Sequence, residues 1–294
     1  MCERGMTQEM EGDMNTLGTV KMAFPPGHYY SPDVDPADLA RRSERIWRPG
    51  GAMAGIDLRE SEQLRLLPLL APYVAQIAWA VEGGADERRY FYANGMFPVL
   101  DAEVLFAVLG HFKPRRMIEV GSGFSSLVAA EANCRLLDGK MQLTCVDPYP
   151  RPFIEQGVDG LHRLVQSRIE DQDIALFDEL DAGDVLFIDS SHVVKTAGDV
   201  THLFFEVLPR LRPGVLVHLH DIFLPDEYPK AWLLEEGRSW NEQYLLRAFL
   251  MWNREWQVLW SAHYMVTRHT PTVQEVFPRC PALGTGGSFW MRRC

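Results

Sequence analysis

Between residues 101 and 250 the apolar positions alternate between two signatures: short, wholly apolar runs and stripes repeating at about 3.6 residues. The runs "RMIEV", "MQLTCVD", a piece of "HRLVQSRIED", "DVLFID" and "VLVHLHD" read as five buried strands. Val104, Leu105, Val108, Leu109 and Phe112 form a helical stripe, with Asp101 as its N-cap and Lys113-Pro114 as its stop. "SSLVAAEANCRLL" is the next helix and "DIALFDEL" a short one. Val200, Leu203, Phe204, Val207, Leu208 and Leu211 line another, ended by Pro213-Gly214. "NEQYLLRAFLMW" sets Tyr244, Leu245, Ala248, Phe249 and Trp252 on one side, and two late strands, "WQVLWSAHYMV" and "GSFWMR", finish the chain. Apolar strands separated by helices predict an α/β fold with a mostly parallel sheet covered on both faces.

The pattern before residue 101 differs. Residues 1–20 carry few large apolar side chains and read as a disordered tail. Residues 21–100 read as an N-terminal arm and helical extension. "AFPPGHYYSPDVDPADLARR" is an extended arm entering a short helix near Pro36. "SEQLRLLPLLAPYVAQIAWAVE" is a helix with Leu70, Val74, Ile77, Ala78 and Val81 on one face. Residues 101–294 form the main domain.

Composition narrows the field. The formal charge is −11 over 294 residues, which argues against a general nucleic-acid binder with its basic footprint. No apolar stretch is long enough to cross a bilayer, and the polar, acidic start lacks an apolar h-region, so a cytoplasmic protein is expected. The 5 cysteines are widely spaced with no C-x-x-C pair, which argues against a disulfide framework or a structural zinc site.

In a parallel sheet, ligands bind beyond the carboxyl ends of the strands. There the chain places the turn Gly121-Ser122-Gly123, and Asp147, Asp189 and Asp221 close three further strands. The result is an acidic rim around one crevice. A dinucleotide fingerprint would need a third glycine, where Ser126 stands, and Glu119 would repel a pyrophosphate. A cationic ligand without phosphate suits the rim better. S-adenosylmethionine is such a ligand, with Asp147 placed to accept from its ribose diol.

The motifs "IEVGSGFSS", "TCVDPYP", "DVLFIDSSH" and "LRPGVLVHLHDI" resemble, in order, those of the class I S-adenosylmethionine-dependent methyltransferases, and more narrowly the bacterial small-molecule subgroup called methyltransferase family 24. The resemblance covers about residues 101–294. It implies a Rossmann-like seven-stranded sheet in the order 3-2-1-4-5-7-6 with an antiparallel last strand. It also implies roles. Glu119, Gly121, Ser122 and Gly123 would line the methionine portion. Asp147 would hold the ribose, with Pro148 and Tyr149 beside the adenosine, and Ile169 and Glu170 would flank the adenine. Asp189 and Ser190 would form the floor near the methyl group.

Methyl transfer needs an aligned acceptor and a group that takes its proton. His192 is the first choice of base, since an ordinary imidazole has a pKa of ~6.5; Asp189 and Asp221 stand beside it at the strand ends. A second reading stays open. Catechol-type O-methyltransferases hold a divalent cation at these two strand ends, and Asp189, His220 and Asp221 match its ligand positions. Histidine in that set suits Mn²⁺, Fe²⁺ or Zn²⁺ more than Mg²⁺. Strand alternation sends His220 and Asp221 to opposite faces unless the strand has ended. His218 reads as a core histidine. The aromatic segment from Ile222 to Phe249 reads as a lid or substrate wall. The arm with His28, Tyr29 and Tyr30, and "YFYANGMF" at 90–97, either close the crevice or make a homodimer contact. The expected activity is O-methylation of a small polar, sugar-like or natural-product acceptor. A metal-dependent oxygenase or hydroxylase and an NAD-dependent oxidoreductase are the alternatives.

Overall fold

The computed structural model describes residues 23–280 and 286–294; the tail expected over residues 1–20 lies outside them. Seven strands form one sheet: β1 Arg116–Val120, β2 Gln142–Val146, β3 Arg163–Val165, β4 Val185–Ile188, β5 Leu216–Leu219, β6 Trp256–Ser261 and β7 Phe289–Arg293. Their order is β3-β2-β1-β4-β5-β7-β6, as the resemblance implied. β7 runs antiparallel to both neighbours, and the other pairs are parallel.

The helices are α1 Pro36–Arg41, α2 Ser43–Ile46, α3 Glu60–Val74, α4 Val99–Phe112, α5 Phe124–Leu136, α6 Pro152–Glu155, α7 Asp199–His202, α8 Lys230–Leu234, α9 Glu242–Leu250 and α10 Ala262–Val276. Alternate residues of each strand feed opposite faces of the sheet. Met117, Leu143, Val185, Phe187 and Leu216 pack against α3, α4, α5 and α10. Ile118, Val120, Leu186, Ile188, Val217 and Leu219 pack against α9 and the helical run that continues from α7 through Leu208–Arg210. That run holds a π-helical turn, Leu203–Val207.

Four local expectations need correction. α4 begins at Val99 behind Pro98, so Asp101 lies inside its first turn rather than capping it. α3 ends at Val74 instead of continuing to Val81, which is exposed; Leu66, Leu67 and Leu70 share its buried side. α9 buries Glu242, Gln243, Leu246 and Leu250, whereas Tyr244 and Trp252 face outward. The run "WQVLWSAHYMV" is a strand only as far as Ser261, after which α10 begins. In α9 the apolar residues are a poor guide to facing. α9 turns polar side chains inward because they find partners there: Gln243 Oε1 accepts from the Phe223 amide at 3.0 Å.

Candidate active site

β1 runs into the glycine turn, and the two glycines do different jobs. Gly121 has φ +85°, and a Cβ there would lie 1.9 Å from the carbonyl oxygen of Asp189. Its missing side chain lets β1 and the end of β4 approach each other. Gly123 is different: its φ of 174° is extended backbone open to any residue, and a Cβ would meet nothing nearer than Arg151 Nε at 3.9 Å. That space opens on the crevice. Ser126, in place of a third glycine, accepts from the Gly123 amide at 3.0 Å. The bond consumes a donor at the N-terminus of α5 that a pyrophosphate would otherwise use.

Asp147 ties the turn to β2. One carboxylate oxygen accepts from the Ser122 amide and hydroxyl at 2.7 and 2.8 Å, and the other from the Tyr149 amide at 2.7 Å. Glu119 departs from its expected place. It does not line the crevice; it is fully buried beneath the turn, accepting from Ser125 Oγ at 2.6 Å and Cys145 Sγ at 3.0 Å. The reason is strand alternation: Val120, the next residue, reaches the crevice wall, and Glu119 points into the packing of the opposite face.

Burial pushes the Glu119 carboxyl up from 4.5 to about 7, with the Cys145 and Ser125 hydrogen bonds restraining the rise. A carboxyl raised on folding stabilises the fold fully below its unfolded pKa, and that contribution is lost as pH climbs through the folded one. The gap is worth about 3 kcal/mol at about 1.4 kcal/mol per pH unit. Urea titrations of the native chain and of Glu119→Gln should therefore diverge between pH 4.5 and about 7, the native chain losing the stability. Parallel pH profiles would contradict this.

The crevice is a cavity of about 1460 Å³. Gly121, Ser122, Gly123, Asp147, Pro148, Tyr149, Ile169, Glu170, Asp189, Ser190, His192, His220 and Asp221 all line it. Its rim is not purely acidic, since Arg151, Arg168, Lys195 and Arg238 line it too. An acid ending β2, an open glycine at a helix N-terminus and a nearby guanidinium suit a ligand with a ribose diol and an amino-acid zwitterion.

At the far end, four side chains converge. β5 ends at Leu219, and Asp221 takes φ +57°, so His220 and Asp221 turn toward the same point despite strand alternation. His192 has φ +59°, held because its carbonyl accepts from the Asn241 and Glu242 amides at 3.1 and 3.2 Å. Left-handed conformations at non-glycine residues are costly and gather at functional sites. His192 Nδ1 lies 2.9 Å from Glu242 Oε2, and its Nε2 lies 3.3 Å from Asp189 and 3.5 Å from Asp221. His220 Nε2 lies 3.3 Å from Asp101 Oδ2.

Charge follows from these contacts. Burial works against a charged His192, but hydrogen bonds to Asp189 and Glu242 outweigh it and push the ring to about 10. The ring therefore holds its proton at neutral pH in this arrangement, unlike the neutral base expected of it. Burial likewise opposes a charged His220, yet Asp221, Asp189 and Asp101 raise it well above the ordinary range. Burial alone would raise Asp189, but His220 and His192 hold it below the usual carboxylate range. His218 matches the core reading. Burial and the charge of His220 keep it neutral, and it stacks on Phe187 at 3.8 Å and bonds Ser288 Oγ at 3.1 Å.

Residues 118–222, which span the turn, the three acidic strand ends and both His192 and His220, match methyltransferase family 24, described as a methyltransferase domain. The chain belongs to the class I S-adenosylmethionine-dependent methyltransferases. An uncharacterized protein of Archaeoglobus fulgidus is 34% identical over 163 residues, 54% of this chain and 74% of that protein, so the two share a family. Among solved structures, the S-adenosylhomocysteine-bound methyltransferase PaMTH1 of Podospora anserina is similar at TM-score 0.42 and 15% identity, over 94% of this chain and 100% of that one. The O-methyltransferase TomG of Streptomyces achromogenes, in complex with S-adenosylmethionine, is similar at 0.41 and 15%, over 87% and 95%.

One wall of this methyltransferase's crevice comes from the segment after β5. Trp240 lies against His192, ring centroids 4.4 Å apart, and Arg238 sits 4.7 and 4.9 Å from the rings of Trp232 and Trp240. The arm does not line the crevice; Val34, Leu39 and Trp47 pack behind the wall, on Phe223, Tyr228 and Leu233. Trp47 Nε1 donates to the Tyr228 carbonyl at 2.7 Å. The 90–97 segment does reach the cavity, through Tyr92, Ala93, Gly95, Met96 and Phe97. Sequence reasoning missed Asp101 and Glu242 as partners of the two histidines. Glu242 lies 50 residues from His192, and no local pattern connects them. Among the described residues no helix is long and apolar enough to cross a membrane.

Proposed function

We propose that the chain moves a methyl group from S-adenosylmethionine to an oxygen of a small polar, sugar-like or natural-product acceptor. The observation that carries this reading is one continuous cavity joining the glycine turn to the Asp189, His192, His220 and Asp221 cluster. Its volume, about 1460 Å³, exceeds the roughly 300–1,000 Å³ of a pocket for one ligand, leaving room for an acceptor beside the methyl donor.

In this reading Gly121, Ser122 and Gly123 hold the methionine portion. Asp147 takes the ribose hydroxyls, Pro148 and Tyr149 lie beside the adenosine, and Ile169 and Glu170 flank the adenine. Asp189 and Ser190 form the floor near the methyl group. S-adenosylmethionine, when bound, supplies an electrophilic methyl on a cationic sulfur. The chain's part is to align the acceptor, exclude water and favour loss of the acceptor's proton.

Asp189, His220 and Asp221 fit a divalent cation: one donor atom from each lies within 4.8 Å of the others. When bound, such a cation supplies Lewis acidity that favours proton loss from a neighbouring hydroxyl and orients vicinal oxygens. An imidazole in the set suits Mn²⁺, Fe²⁺ or Zn²⁺ more than Mg²⁺.

The test offers the full chain methyl-labelled S-adenosylmethionine with hydroxyl-bearing acceptors (catechols, hydroxy acids, sugars) and matched amines. Label should appear in a hydroxyl acceptor and fall sharply with a chelator. Label confined to amines would reject the oxygen assignment, and label undiminished by the chelator would reject the cation.

A further inference from the structure

Among the described residues, four lysine and arginine side chains line the cavity, and they fall into two pairs. Arg151 lies by Gly123, and Arg168 precedes Ile169 and sits 3.9 Å from Glu170. Both belong to the end where the methyl donor is proposed to sit. Lys195 and Arg238 belong to the other end. Their segments are stitched together beside His192, whose carbonyl accepts from the Asn241 and Glu242 amides, while the Val194 amide donates to Asn241 Oδ1 at 2.6 Å.

The guanidinium of Arg238 is held by aromatic rings. Its central carbon lies 4.7 Å from the Trp232 ring and 4.9 Å from the Trp240 ring. Trp240 in turn lies against His192, ring centroids 4.4 Å apart. One indole thus separates the guanidinium from the proposed reacting end. Stacking occupies the faces of a guanidinium and leaves the N–H donors around its edge. Glu236 Oε2 lies 2.7 Å from Nη2, but a guanidinium carries five N–H donors, so one carboxylate leaves most of them for a ligand. The two side chains are 39% and 40% exposed, and a pair this open adds little to stability. Holding the fold therefore does not account for an arginine set on two tryptophans at a cavity wall.

The carboxylates at this end already have partners. Asp189 and Asp221 face His192 and His220, and Asp199 accepts from the Ser191 amide and hydroxyl at 2.7 and 2.6 Å. Lys195 is exposed, and its ammonium makes no ion pair among the described residues. The positive charge left over calls for an anion from outside.

We infer that the acceptor carries a carboxylate besides the hydroxyl that is methylated, and that Arg238, helped by Lys195, receives that carboxylate. A planar carboxylate matches the fork of a guanidinium, and its single charge is opposed less by Glu236 than the double charge of a phosphate. The carboxylate is a handle and does not react. The acceptor's hydroxyl oxygen bonds to the methyl carbon as the carbon–sulfur bond breaks, the electron pair of that bond stays on sulfur, and the hydroxyl proton is released to solvent. The inference rests on the methyl-transfer reading and narrows its acceptor from polar to anionic.

The full chain is tested with matched sets built on 3,4-dihydroxybenzoate and on a sugar acid, each beside its methyl ester and a phosphate-bearing counterpart. Label transfer from S-adenosylmethionine is measured together with calorimetric binding of each compound to the chain loaded with S-adenosylhomocysteine. In at least one set the acid should exceed its ester by about 10-fold or more, the size of one charge-assisted hydrogen bond, with the label in an ether. Arg238→Gln should bring that ratio close to 1. Arg238→Lys, which keeps the charge without the fork, should fall between. The acid-to-ester comparison on the native chain needs no variant. An ester handled as well as its acid in both sets, or no acid bound at all, would overturn the inference and leave methyl transfer standing if S-adenosylmethionine still binds. Preference for the phosphate, or label found as a methyl ester, would overturn the carboxylate handle, and an unchanged ratio in Arg238→Gln would overturn the role of Arg238. Absence of S-adenosylmethionine binding to the native chain would instead overturn the reading beneath it.

Discussion

Alanine at Gly121 is expected to destabilise the fold strongly, and alanine at Gly123 to weaken only the binding of S-adenosylmethionine. At Gly121 the added carbon would lie 1.9 Å from the Asp189 carbonyl oxygen, a backbone atom. Neither side can yield cheaply. The Gly121 amide donates to the Val146 carbonyl at 2.9 Å, and the Asp189 amide donates to Val120 at 2.9 Å, so both strands are held in register. A φ of +85° adds strain for any side chain. The combined cost is about 4 kcal/mol or more, a size reached only by such built-in conflicts. A thermal midpoint lower by about 10 °C follows for a chain of this size. Gly123→Ala should melt with the native chain, since its Cβ meets only Arg151 Nε at 3.9 Å, yet lose about 10-fold or more in binding by filling the cradle. Circular-dichroism melts and titration calorimetry on the two variants check both halves. Equal melting temperatures for the two variants would contradict the division of labour.

The second large effect is expected at Asp101. Its carboxylate is fully buried, accepts from the Gly287 and Ser288 amides at 2.8 and 3.0 Å, and meets His220 at 3.3 Å. Asp101→Ala strands two amides and removes one carboxylate from a buried, charged imidazole. Breaking a buried pair from one side costs about 3–5 kcal/mol. The same change frees His220 to rotate, so activity should fall further than stability predicts. Asp101→Asn, which keeps an acceptor, should recover part of the stability and less of the activity. Urea denaturation beside the methyl-transfer rate separates the two, and a stability loss below about 1 kcal/mol for Asp101→Ala would refute the role.

Asp101 also shows where the sequence stopped being legible. An aspartate ahead of an apolar stripe has the local signature of an N-cap. Its actual partners lie 186 and 187 residues away, and nothing in a local pattern points to them. The strand ends were legible because each acid follows an apolar run immediately, and the run fixes the face. The pattern therefore places Asp147, Asp189, His220 and Asp221 at one crevice, where they lie. Glu119 failed for a parity reason: one position earlier in β1, its side chain enters the packing instead of the crevice. Hydrophobicity misplaces the inner face of α9, because Glu242 and Gln243 are buried by their hydrogen bonds. His192 was found, but its environment was not, since Glu242 and Trp240 reach it only through the fold.

The central claim is that the crevice at the ends of β1, β2 and β4 receives S-adenosylmethionine. Isothermal titration of the full chain with S-adenosylmethionine, and separately with NADH, tests it most directly. One saturable site per chain for S-adenosylmethionine, displaced by S-adenosylhomocysteine and indifferent to NADH, is the predicted result. Binding of NADH with no heat from S-adenosylmethionine would contradict it.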